Sequence, residues 1–206
     1  MRAQEQLAHP QVDAEQRFLL EGVPWWTYVA LRDALEDAGT RMTYVEGTLE
    51  LMSPSETHEE EKKLIARLIE AWADEKNVDL RGFGSTTYRR EAEKRGLEPD
   101  ECYVLGPKDA DAVPQIAIEV VVASPLVDKL DVYARLGVPE VWIWHSATRS
   151  LVVHRLLVTD SPGVRYDSHD RSAILADMDL ALLASFVRAG ESHTALAKAY
   201  RAALRG

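Results

Sequence analysis

One stretch limits this chain more than any other. Gln115-Ile-Ala-Ile-Glu-Val-Val-Val-Ala123 is apolar on both alternating faces and carries a single charge, Glu119. A short run so rich in β-branched residues reads as a strand covered on both sides, central in its sheet. It also raises a chemical question. A carboxylate in such a run is costly to bury unless it is paired, protonated or bound to a cation.

The rest of the chain supplies neighbours for that strand. Trp25 to Ala38 has apolar residues at helical spacing behind Pro24, with Gly39 as its stop. Apolar residues flank the dipeptide Glu46-Gly47, the signature of a hairpin. Thr57-His-Glu-Glu60 matches a capping box, opening a helix that runs to about Glu75. Pro99 to Leu105 and Val138 to Trp144 read as strands, with a helix from Leu126 to Leu136 between the second of these and the central run. Ser150 to Leu156 begins a meander toward Asp170, and Leu180–Val187 and His193–Leu204 read as helices. This order predicts an α/β or α+β fold: a mixed central sheet flanked by helices, with an N-terminal helix and hairpin and C-terminal helices.

Length and composition set the outer limits. With 206 residues, 46% hydrophobic and 28% charged, the chain is long enough for one well-buried core and too apolar for disorder. The expectation is a flexible tail over 1–16 and one domain over 17–206. A net charge of −10 argues against a general nucleic-acid coat, though not against a local basic groove. One cysteine, Cys102, cannot form an intramolecular disulfide, and the N-terminus has no apolar signal region. A cytoplasmic protein without a membrane span is the expectation.

Chemistry concentrates in few places. Asp100 and Glu119 each sit on a predicted strand. If those strands are neighbours, the two carboxylates can converge within about 6 Å on one hard cation, Mg²⁺ or Mn²⁺. The competing account is a strand-end glutamate satisfied by a helix N-terminus or an arginine. Lys129, early in the next helix with Tyr133 four residues on, could place an ammonium beside the pair or simply face solvent. In the helix after the hairpin, the stripe Ile65, Leu68, Ile69 and Trp72 projects back onto Glu61 and His58. Those two groups are either part of a site or the frayed end of the stripe. Cys102, Trp142 and Trp144 read as core, and the basic loop after Gly82 as either a phosphate contact or a solvated turn.

Several segments together resemble a known family. They are Gly96-Leu-Glu-Pro-Asp-Glu-Cys-Tyr103, Ile116-Ala-Ile-Glu-Val-Val121, Asp128-Lys-Leu-Asp-Val-Tyr133 and Leu136-Gly-Val-Pro-Glu-Val-Trp142, flanked by Tyr44 to Pro54, His58-Glu59 and Gly82 to Thr87. In this order they resemble the Uma family, described as putative restriction endonucleases, a branch of the PD-(D/E)xK nuclease superfamily. The resemblance implies a restriction-endonuclease-like sheet with Asp100 and Glu119 as metal ligands. The superfamily's usual lysine would stand at position 121, which is Val121 here; the family resemblance implies a lysine supplied by the following helix, which makes Lys129 the matching residue. It implies supporting places for His58, Glu46 and Glu50.

The resulting expectation is a metal-dependent endonuclease that hydrolyses DNA phosphodiester bonds, with Asp100, Glu119, Lys129 and His58 as its catalytic set. The alternative is a catalytically silent nuclease-fold module binding DNA or protein. RNA as substrate is a third reading. The apolar faces of the two C-terminal helices cover either the domain's own core or a second subunit, and a homodimer is the expected assembly.

Overall fold

A computed structural model describes residues 14–35, 39–107, 113–125, 127–158 and 164–206. Strand β1 (Gln16–Leu20) leads to helix α1 (Trp25–Ala34), the hairpin β2 (Arg41–Val45) and β3 (Thr48–Ser53), and the long helix α2 (Glu56–Lys76). Short strands β4 (Leu80–Gly82), β5 (Tyr88–Arg90) and β6 (Arg95–Leu97) precede β7 (Glu101–Leu105) and β8 (Ile116–Val121). Helix α3 (Lys129–Leu136), strands β9 (Glu140–His145), β10 (Ser150–Val158) and β11 (Val164–His169), and helices α4 (Leu180–Phe186) and α5 (His193–Arg205) complete the chain.

The strands form two sheets. One, ordered β1-β3-β2-β6-β5, is antiparallel throughout. The other, ordered β11-β10-β9-β8-β7-β4, is mixed: β8 and β9 are parallel and every other pair is antiparallel. The parallel pair is joined through α3, because parallel neighbours need a crossover element. The fold is thus the expected α+β arrangement, with the Glu119 run near the middle of the larger sheet.

Alternation along the strands divides the core. Ile116, Ile118 and Val120 of β8, with Trp142 and Trp144 of β9, pack among residues of α2, α4 and α5. Ala117 and Val141 point the other way, into a cluster with Val132, Tyr133 and Leu136 of α3. Glu119 and Val121 share this second face by their period of two. A one-residue slip would bury Glu119 among the tryptophans, so the register is strongly fixed.

Several expectations need correction. Helix α2 is capped by Ser55, whose hydroxyl accepts from the His58 N–H at 3.2 Å, and not by Thr57. Ser55 follows Pro54 in extended backbone, the geometry a cap requires, while Thr57 is already helical. Helix α1 ends at Ala34, and residues 36–38 of the predicted helix lie outside the described residues. Helix α3 starts at Lys129, after the cap Asp128; Leu126 also lies outside the described residues. Of the expected tail, residues 1–13 lie outside the described set, but Glu15 is bonded into the fold and Gln16 opens β1. The loop expected after Gly82 instead holds two strands, β5 and β6.

Leu180, Leu183, Leu196 and Tyr200 all sit in the same cluster as α2. The C-terminal helices therefore cover this chain's own core.

Candidate active site

The site begins where β7 meets β8. Glu101 pairs with Ile118 and Cys102 with Ala117, so the register extended by one residue sets Asp100 opposite Glu119. Directly opposed residues of an antiparallel pair share a face, with Cβ atoms about 4.5–5.5 Å apart. Asp100 is tied to β8 twice. Its N–H donates to the Ile118 carbonyl at 3.1 Å, and its Oδ2 accepts from the Val120 N–H at 2.8 Å. The carboxylate thus serves a backbone donor at the end of the ladder, which fixes its position.

Glu119 is held from α3. Lys129 Nζ donates to Glu119 Oε2 at 2.7 Å, and the Tyr133 hydroxyl donates to Oε1. Residues four apart on a helix lie on one face, so the spacing of Lys129 and Tyr133 delivers both donors to one carboxylate. The cap Asp128 accepts from the N–H groups of Leu130 and Asp131 and fixes the first turn that carries Lys129.

His58, fully buried in the first turn of α2, closes the group from the third side. Its Nε2 lies 3.0 Å from Asp100 Oδ1, a close ionic contact that is not aligned as a hydrogen bond. Its Nδ1 lies 3.0 Å from Glu15 Oε2. Glu15 also pairs with Arg17, and Arg17 pairs with Glu50, whose Oε2 accepts from the Val127 N–H at 3.2 Å. Edge strand β1 is thereby linked to the loop that precedes Lys129.

Burial and charge act against each other here. Burial opposes ionisation of Asp100, but His58, Lys129 and the Val120 N–H outweigh it and hold the carboxyl down to about 2. Burial likewise disfavours the His58 cation, and the Asp100 and Glu15 carboxylates overcome it, raising the imidazole to about 9. With carboxylates against both ring nitrogens, the imidazolium is the form that fits. Lys129 is also raised, since Glu119 and Asp100 outweigh its burial. Glu119 is raised chiefly by burial, with Asp100 adding to it and Lys129 opposing.

The profile of the Uma2 family, described as "Putative restriction endonuclease", matches residues 25–182. The chain belongs to this family. A crystal structure of a putative nuclease belonging to DUF820 from Anabaena variabilis ATCC 29413 is similar to this Uma2 chain at 13% identity, with a TM-score of 0.39 over 77% of this chain and 90% of that one. No curated protein matches it.

In this Uma2 chain, Asp100, Glu119, Lys129 and His58 come together, and Glu50 joins them through Arg17. Glu46 does not: it occupies the exposed hairpin turn at φ 47° and pairs with Arg95 at 3.1 Å. Glu61 is buried but accepts from the Ser146 hydroxyl at 3.1 Å, near the end of β9. The arginines of the predicted basic loop are engaged within the chain. Arg89 pairs with Asp33, and Arg90 donates to the carbonyls of Arg135 and Leu136. Sequence reading missed Glu15 and Arg17. Their only signal was the apolar triplet Phe18-Leu19-Leu20 that follows, and it is too short to announce a strand.

Proposed function

We propose that this chain is a metal-dependent endonuclease hydrolysing phosphodiester bonds of DNA. The observation that carries this reading is the convergence of Asp100, Glu119, Lys129 and His58 from four separate stretches of chain onto one buried cluster. The donor set suits a hard cation. Asp100 Oδ1 is buried without an aligned hydrogen bond, and each Glu119 oxygen has a second lone pair beyond the bond it accepts. Glu15, Glu50, Asp100 and Glu119 against Arg17, His58 and Lys129 leave an excess of one negative charge. Among the described residues no group of three or more His, Cys, Asp or Glu side chains could hold a metal. Two carboxylates with water completing the shell fit Mg²⁺ or Mn²⁺ better than Zn²⁺.

Asp100 and Glu119 are the residues that would hold the ion. When bound, it would polarise the phosphoryl oxygen and lower the pKa of the attacking water. Lys129 stays an ammonium between the two carboxylates, which suits offsetting phosphoryl charge in the transition state more than accepting a proton. His58 fixes the Asp100 carboxylate, and Glu15 fixes His58. DNA as substrate rests on the family description and not on any residue. Among the described residues no helix is long and apolar enough to cross a membrane.

The catalytically silent binding module has one observation in its favour: the net charge of −10 must be overcome locally before a phosphate backbone can approach. Incubation with supercoiled plasmid and with single-stranded DNA, in Mg²⁺ or Mn²⁺, separates the two. The nuclease reading expects cleavage that EDTA stops and that Asp100→Ala removes. Intact DNA under every condition would leave the binding module. A homodimer remains a proposal. With the C-terminal helices covered, the exposed large apolar side chains among the described residues are Phe18, Leu19 and Leu20 on edge strand β1, Trp26 of α1 and Phe83. A monomeric mass by light scattering at tens of micromolar would rule it out.

A further inference from the structure

A cavity of about 250 Å³ opens on the α3 face of the larger sheet, directly beside the Lys129–Glu119 pair. Its walls are largely apolar: Val121 and Ile143 from the sheet, Pro125 from the loop and Leu130 from the helix. Ile143, paired in register with Glu119, is only partly buried although β9 lies inside the sheet. Its exposure is what this cavity leaves open. Two polar side chains, Ser124 and His145, also line it, and among the described residues neither has a hydrogen-bond partner. Apolar walls with a few convergent free polar groups and a charged pair are the make-up of a small-molecule site.

We infer that this cavity is a subsite for one unstacked nucleobase, belonging to the nucleotide whose phosphate meets Lys129. The inference rests on the nuclease reading for the identity of that phosphate. The volume is ample for one flat heteroaromatic ring. A nucleotide held by its phosphate at Lys129 carries its base within reach of the same residues. Val121 and Ile143 offer contact to the ring, while Ser124 and His145 offer a donor and an acceptor to its polar edge. A base in this cavity has left its stack, so cleavage favours single-stranded or locally opened DNA over intact duplex.

The test titrates the full chain with thymidine and, separately, with 2-deoxyribose, following the imidazole NMR signals of His145, assigned with His145→Gln. The expected result is a saturable shift with thymidine, none with deoxyribose, and affinity about tenfold weaker or worse in Ile143→Trp, which fills the cavity. Ser124→Trp fills it from the exposed loop and gives the same reading if Ile143→Trp does not fold. No shift with thymidine, or an equal shift in a filled variant that folds, overturns the subsite. Cleavage of DNA without a thymidine shift overturns the subsite and leaves the nuclease standing. A thymidine shift without cleavage of any nucleic acid supports the subsite and removes the nuclease.

Discussion

Two glutamates on adjacent strands are both 2% exposed, yet they live in different chemistry. Glu140, at the start of β9, accepts from Trp142 Nε1 at 2.9 Å, the Ser172 hydroxyl at 2.7 Å and the N–H groups of Ala173 and Ile174 at 2.6 and 3.3 Å. Its nearest cation, Arg155, is farther off at 3.6 Å. These donors are mostly neutral and fixed by the backbone, so Glu140 staples the 172–174 segment to the sheet. Glu119 has no such shell. Its partners are an ammonium and a phenol on one face of α3, opposite a second carboxylate. A lone charge in an apolar strand therefore does not by itself mark a site. What separates the two is whether the partners are fixed dipoles or ionisable groups beside a cavity.

The contrast can be broken most directly at the two glutamates. Glu119→Gln should reduce cleavage to background while leaving the melting temperature close to wild type. Glu140→Ala should do the opposite: by leaving several buried donors unpaired it should cost about 3 kcal/mol of stability in denaturant unfolding, with residual folded protein still active. Inactivity of folded Glu140→Ala would mean that both carboxylates serve the chemistry. Lys129→Ala should slow single-turnover cleavage by about 10²–10³-fold in protein that still folds, while costing about 2–4 kcal/mol of stability because buried Glu119 loses its cation. Lys129→Arg should restore little, because a planar guanidinium places its charge differently. Wild-type rates from the alanine variant would end the role given to this lysine.

Smaller effects sharpen the picture. Tyr133→Phe removes one donor from Glu119 and leaves Lys129, so about 1 kcal/mol of stability and a tenfold or smaller change in rate are expected. For the metal-free protein, His58 titrates near 9 when folded against an ordinary 6.5. A raised folded pKa gives stability that is complete below 6.5 and fades as pH rises through 9. Melting temperatures between these pH values should fall in the wild type and stay flatter in His58→Gln.

Much of this was legible in the sequence because periodicity reports burial. The strand of Glu119 and the helix bearing Lys129 were legible this way, and the apolar stripe of α2 projected back onto His58 and Glu61 without deciding between a site and a frayed end. Glu61 shows the limit of that signal. It shares the stripe with His58 but ends beside Ser146, since direction along a helix says nothing of what lies across from it. Glu15 and Arg17 were hidden because β1 is short, at a sheet edge and mostly exposed, so its alternation carries little pattern. Glu140 gave no sign of its shell, because all of its donors but Trp142 Nε1 come from a loop some thirty residues away.

Mn²⁺ binding followed by electron paramagnetic resonance tests the central claim without relying on turnover. The account predicts one site in the wild type, lost in Asp100→Ala and Glu119→Gln and retained with similar affinity in Glu140→Gln. Binding that survives both of the first two variants, or no binding in the wild type, would contradict it.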